Sequence, residues 1–234
     1  ALYERARRVL DDLEEMEKSV SAAREDPVGL LRISAPFSFG ALDFSALITE
    51  FMAAHSGVDV DISFENRFVD PVAEGYDIVL RVGEPDEETT LVDHRVLLLE
   101  YYFCAGPGYL AARGAPERLG DLADHAVLYQ RTSNAAPVFA AAGAGGAESV
   151  ALAPVLTSNN LQTLLTAARA GLGVAVLPEY AVRSDLAEGA LTRVLDGYAL
   201  PQRMLQVVYP PARHLSAKVR VFTDYVETWC GVAP

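Results

Sequence analysis

From residue 28 onward the apolar residues of this chain change period in a regular order, strand, helix, strand, and then the order begins again. The clearest stretch is 58–64, where Val58, Val60, Ile62 and Phe64 alternate strictly with Asp59, Asp61 and Ser63. That predicts a strand with one wet face. Before it, Leu30, Leu31 and Ile33 read as a buried strand ended by Ser34-Ala35-Pro36. Residues 39–54 then read as a helix with Leu42, Ala46, Leu47 and Phe51 inward, stopped by Gly57. After it, a short helix around 69–74 leads to a strand at 76–82. Parallel strands need crossover connections, so the pattern is βαβαβ and predicts an α/β sheet covered on both faces.

The second half repeats the theme. Residues 96–104 form one long apolar strand, and 127–130 and 150–156 read as further strands. A helix over 161–170 ends at Gly171, a strand over 174–177 stops at Pro178, and a last strand covers 204–209. The terminal helix, 214–229, places Leu215, Val219, Phe222 and Val226 on one face. Two similar α/β halves are the economical architecture. Residues 135–147 are rich in Ala and Gly. Gly143, Gly145 and Gly146 lack the strand-to-helix context that a phosphate-binding loop requires.

The first 26 residues obey a different rule. Leu2, Ala6, Val9, Leu13, Met16, Val20 and Ala23 keep a spacing of 4,3,4,3,4,3 among charged neighbours, and Pro27 closes the segment. A helix lying on its own domain needs a wider apolar stripe, so this seam points to an intermolecular helix pair. At 1.5 Å per residue it would be about 39 Å long.

Composition removes several function classes. Against 32 acidic residues there are 19 Lys and Arg, a net charge of −13, which opposes direct contact with a nucleic-acid backbone. Only Lys18 and Lys218 are lysines. Cys104 and Cys230 fit no CxxC spacing and read as reduced thiols of a cytoplasmic protein. No apolar run approaches the roughly 18 residues of a membrane span, and no signal peptide opens the chain. His55, His94, His125 and His214 are too scattered for a metal site, and no nucleophile elbow or Walker loop is present. The expectation is no enzyme, no metal and no cofactor.

Two segments carry small polar residues where a strand hands over to a helix. They are residues 34–40, with Ser34, Pro36, Phe37 and Ser38, and residues 157–162, with Ser158, Asn159 and Asn160. Either alone reads as an N-cap. Both, however, sit at carboxyl ends of strands in matching positions of two α/β halves, where open sheets bind ligands and helix N-termini favour small anions. Phe37, Phe39 and Phe64 would add aromatic walls, or core. Arg67 and Arg81, near the ends of the second and third strands, are expected to pair with acids such as Glu65 or Asp77.

At this point the sequence resembles a known family. GLLRISAPFSFG (29–40), NRFVDPVAEGYDIVLRVG (66–83), FCAGPGYL (103–110), LQTLLTAARAGLGVAVLPEY (161–180) and VVYPPARHLSAKVRVFTDYV (207–226) look like the effector-binding part of LysR-type transcriptional regulators. The resemblance runs in order along nearly the whole chain. It implies two Rossmann-like α/β subdomains of the type 2 periplasmic-binding-protein architecture, preceded by a long linker helix, with a small-molecule site between the subdomains. Mapped here, residues 1–26 are the linker and dimerisation helix, 28–103 plus 204–234 the first subdomain, and 104–203 the second. It points to Ser34, Pro36, Phe37 and Ser38, with Ser158, Asn159 and Asn160 opposite, and less strongly to Leu177 and Pro178. Around 41–44 and at His55-Ser56 the sequence departs from a family pattern in which prolines are common. The family's winged helix-turn-helix has no counterpart in this sequence, so no residue of the chain is expected to bind DNA itself.

The reading is therefore a regulatory sensor for a small, anionic effector, acting as a homodimer or homotetramer and reaching DNA only through a DNA-binding domain upstream. A solute-binding protein for transport shares the fold, and an enzyme stands third. Light scattering of the whole chain is expected to return a dimer or tetramer; a clean monomer at micromolar concentration would remove the pairing role of residues 1–26.

Overall fold

The computed structural model describes residues 27–37, 44–83, 90–131, 137–211, 213 and 216–231. The heptad segment 1–26, with Ser38, Phe39, Leu42, His214 and Leu215, lies outside them. The chain divides into two compact units, one taking residues up to Leu97 and again from Met204, the other Leu98–Arg203.

The first unit is built on strands β1 (Gly29–Pro36), β2 (Val58–Glu65), β3 (Ile78–Gly83), β4 (Val92–Leu99) and β12 (Arg203–Tyr209), in the order β2-β1-β3-β12-β4. β1 pairs in parallel with β2, from Gly29 opposite Val58 to Pro36 opposite Glu65, and in parallel with β3 at Ile33 and Ser34. The expected βαβαβ is thus present, with helix α1 (Phe44–Ala54) and the single turn α2 (Pro71–Glu74) as crossovers. The returning strand β12 runs antiparallel to β3. Helix α6 (Ala217–Trp229) packs against α1 through aromatic rings. Phe222 meets Phe51 edge-on at 5.0 Å and Phe44 at 6.4 Å between centroids. Val219, Phe222 and Val226 are buried as the helical period requires.

Two inward assignments fail here. Leu30 is 42% exposed, because it begins the strand before the helices cover the sheet, and Ser34 is buried instead. Ala46 faces solvent, while Phe44 takes the inward place beside Leu47 and Phe51.

The apolar run 96–104 is two strands rather than one. It breaks at Glu100; β4 belongs to the first sheet and β5 (Tyr101–Ala105) to the second. The second sheet has the order β11-β5-β10-β6-β9, with β6 (Val127–Gln130), β9 (Leu156–Ser158), β10 (Val174–Pro178) and β11 (Thr192–Val194). One core is formed with helices α4 (Leu161–Arg169) and α5 (Glu179–Glu188), around Cys104, Leu164, Leu165 and Val182. The other forms around Phe103, Leu119, Leu122 and Phe139, beneath helix α3 (Pro107–Arg113) and a 3-10 turn at Leu119–Ala123. This sheet is therefore covered on both faces.

The strand expected at 150–156 is likewise two pieces, and the described part of the Ala-rich stretch before it forms strands. β7 (Val138–Gly143) and β8 (Gly146–Ala151) form an antiparallel hairpin, closed at Gly143 opposite Gly146, which has φ +108°. At Gly143 the small residue has a packing cause: a Cβ there would stand 2.8 Å from the Tyr198 ring. The hairpin is tied at Ala142 and Ala199, which exchange both backbone hydrogen bonds, at 2.8 and 2.9 Å.

At Gly173 the backbone comes close enough for Val174 N–H to donate to Ala126 O at 2.8 Å, and a Cβ at Gly173 would lie 2.4 Å from that oxygen. Gly173→Ala is expected to cost about 1–3 kcal/mol in urea unfolding, by overpacking. Gly145→Ala, whose Cβ meets open space, should change stability by about 0.5 kcal/mol or less.

Candidate functional site

Parallel pairing sets where the polar segments lie. β1, β2 and β3 run the same way, so Pro36, Glu65 and Gly83 end on one edge of the first sheet. β6 is parallel to both β9 and β10, so Gln130, Ser158 and Pro178 end on one edge of the second.

On the first edge Ser34 is 1% exposed, Pro36 is half-buried and Phe37, just past the strand, is 42% exposed. Ser38 lies outside the described residues. On the second edge Ser158 closes β9, with Asn159 exposed and Asn160 half-buried after it. The Ser158 hydroxyl accepts from Asn160 N–H at 3.0 Å. Asn160 Oδ1 accepts from Gln162 N–H at 2.8 Å and Thr163 N–H at 3.4 Å, so Asn160 caps α4. Leu177 and Pro178 are brought to the same edge, but with β6 between them and β9, two strand spacings or about 10 Å away. Both are buried, and Leu177 belongs to the core against α4 and α5.

The arginines divide. Arg67 meets Glu65 at 3.3 Å as expected, and also grips Glu74 with both terminal nitrogens. That hydrogen bonding holds the Glu74 carboxyl below its ordinary range. Arg81 donates to Val69 O at 3.4 Å and its guanidinium lies 4.5 Å from the Phe68 ring centre. Asp77 is engaged elsewhere: it accepts from Arg32 N–H at 2.9 Å and pairs with Arg213 at 3.2 Å and Lys218 at 3.9 Å. The pairing of Arg67 was legible because Glu65 sits two residues away. The Arg81 stack on Phe68 joins residues thirteen apart across a loop, and only the lone charge in the apolar run 78–82 marked it.

The remaining titratable groups have structural duties. Burial pushes the Cys104 thiol up to about 12 and the Cys230 thiol up to about 11, so both stay protonated near neutrality. His94 lies 2.9 Å from both Glu227 and the Tyr209 hydroxyl, and His125 lies 3.0 Å from the Tyr109 hydroxyl. Among the described residues no cluster of three or more His, Cys, Asp or Glu is arranged to hold a metal. Among them, too, no helix is long and apolar enough to cross a membrane.

Comparison with known proteins identifies the family and agrees with the fold. Residues 24–231 match the model of the LysR substrate binding domain. An uncharacterized HTH-type transcriptional regulator of Haemophilus influenzae is 32% identical over 93% of this chain and 75% of its own length. The HTH-type transcriptional regulator DmlR of Escherichia coli is 28% identical over 97% of the chain and 74% of its own length. Among solved structures, CrgA of Neisseria meningitidis, a LysR-type regulator, superimposes with TM-score 0.81 at 23% identity, covering 98% of this chain and 78% of that one. Full-length AphB of Vibrio cholerae superimposes with TM-score 0.78 at 22% identity, covering 97% and 77%.

Asn160→Ala removes the acceptor for two N–H groups of α4 and is expected to cost about 1 kcal/mol in chemical denaturation. An unchanged midpoint would show that the cap contributes nothing.

Proposed function

The chain belongs to the LysR substrate-binding domain family and is the effector-binding domain of a LysR-type regulator; from that membership we propose how it holds its effector. The ligand is a small anion. It contacts Ser34, Pro36, Phe37 and Ser38 at the carboxyl end of β1, and Ser158, Asn159 and Asn160 at the carboxyl end of β9. Leu177 and Pro178 form backing for the second group. The observation that supports this is the parallel pairing, which puts hydroxyl and amide residues at the strand ends where α/β sheets take ligands.

In this reading the chain is a sensor, not a catalyst. It works in the cytoplasm as a homodimer or homotetramer, paired through residues 1–26, and passes its state to a DNA-binding domain. The effector acts by binding one conformation of the regulator better than another, because equal affinity for two states shifts neither. The relatives named above are transcriptional regulators, which favours a sensor over a solute carrier of the same fold.

A thermal-shift screen of small carboxylates should find a stabiliser, since ligand at about 100 times its Kd adds about 2.7 kcal/mol. The double variant Ser34→Ala, Asn159→Ala is expected to lose the shift and keep the unliganded melting point within a few degrees. Undiminished binding by that variant would move the site elsewhere.

A further inference from the structure

The second sheet ends on a polar side chain that its own unit leaves unused. β6 lies between β9 and β10, and its last residue, Gln130, is opposite Ser158 in the parallel ladder with β9. On the other side β10 pairs with β6 in parallel, Val174 opposite Val127 and Ala175 opposite Leu128, and two residues on from that last pair stand Leu177 and Gln130. Gln130 therefore occupies the strand between Ser158 and Leu177, about 5 Å from each in strand spacing.

Side chains alternate along a strand, so Gln130 shares a face with Leu128. That face is the apolar one. Leu128, Ala175 and Leu177 are buried in the core against α4 and α5, and Leu156 packs on it. The next position in such a row would gain from an aliphatic side chain, and here it holds a half-buried amide. Among the described residues no hydrogen bond engages that amide: it ties no element, caps no helix and meets no charged group. Its neighbours differ. Asn160 is spent on capping α4, and the Ser158 hydroxyl accepts from Asn160 N–H at 3.0 Å, which leaves its own proton to give.

A primary amide both donates and accepts, and so does a hydroxyl. A ligand hydroxyl at Gln130 replaces the bonds of the water it displaces, whereas a hydrogen in the same place leaves the amide unsatisfied. That asymmetry makes a polar side chain at the edge of a site selective. We propose that Gln130 is a specificity residue of the effector site and reads a hydroxyl carried beside the anionic group of the effector. This rests on the effector-binding reading above and adds to it one residue and one neutral group. Ser158 donates to the same hydroxyl from β9, and Leu177 backs it from β10.

The test is calorimetric titration of the whole chain with three matched pairs: butanoate with 3-hydroxybutanoate, hexanoate with 2-hydroxyhexanoate, and phenylacetate with mandelate. The hydroxy acid of at least one pair should bind the wild-type chain about five- to tenfold tighter than its partner, the size of one neutral hydrogen bond. Gln130→Met, close in size, should bring that pair to equal affinity by weakening the hydroxy acid alone. Gln130→Asn, which keeps the amide on a shorter stem, should retain part of the preference. Equal binding within every pair, binding of none of the six, or a preference that survives in Gln130→Met overturns the proposal. Should Gln130→Met fail to fold, Gln130→Asn decides it: a reduced preference supports the proposal and an unchanged one overturns it. Loss of binding in the Ser34→Ala, Asn159→Ala variant together with an unaltered preference in Gln130→Met overturns the Gln130 assignment alone. Acids that bind that double variant as tightly as wild type overturn the effector site and this proposal with it.

Discussion

A single buried carboxylate closes the first unit. That unit is assembled from two stretches of chain, one ending at Leu97 and one beginning at Met204, and Asp77 holds both. It is 4% exposed and accepts the Arg32 N–H of β1 from the first stretch, while Arg213 and Lys218 reach it from the second. A carboxylate at that depth is costly unless paired, so α6 must dock for the sheet to be stable. Lys218, itself buried, faces the same demand in reverse. The same helix supplies Phe222 to the rings of α1, so ionic and apolar contacts hold it at the same place.

Period and punctuation were enough to read the α/β class and the parallel βαβαβ of the first sheet, because alternation at 58–64 and the breaks at Gly57 and Pro178 report local geometry. They could not show that the apolar run 96–104 serves two sheets. Both halves are apolar without a break in pattern, and Glu100 at the junction is the one polar residue between them. The hairpin of β7 and β8 was hidden for the opposite reason. One of its small residues, Gly143, is required by a distant partner, Tyr198, and the Ala and Gly of the hairpin show no apolar–polar alternation in sequence. Arg67 found its predicted neighbour, whereas Arg81 and Asp77 each met groups far away in sequence, which no spacing rule reports.

The candidate site shows why capping and binding are hard to separate. Ser158 and Asn160 cap α4, accepting from the N–H groups of Asn160, Gln162 and Thr163, at the edge where parallel strands end. The same amide and hydroxyl groups that stabilise the fold are the ones proposed to meet a ligand there. On the first sheet Phe68 is 72% exposed and its ring meets the Arg81 guanidinium.

The order of strands also governs the order of events at the ribosome. Leu98–Arg203 is continuous and can close as soon as it is made, but β12 sits between β3 and β4, so the first sheet lacks an interior strand until residues 203–209 have emerged. Until then β3 offers an open edge of the kind that invites wrong pairing. The half synthesised first is completed last, and the nascent regulator has to keep it out of trouble for the length of the half made in between.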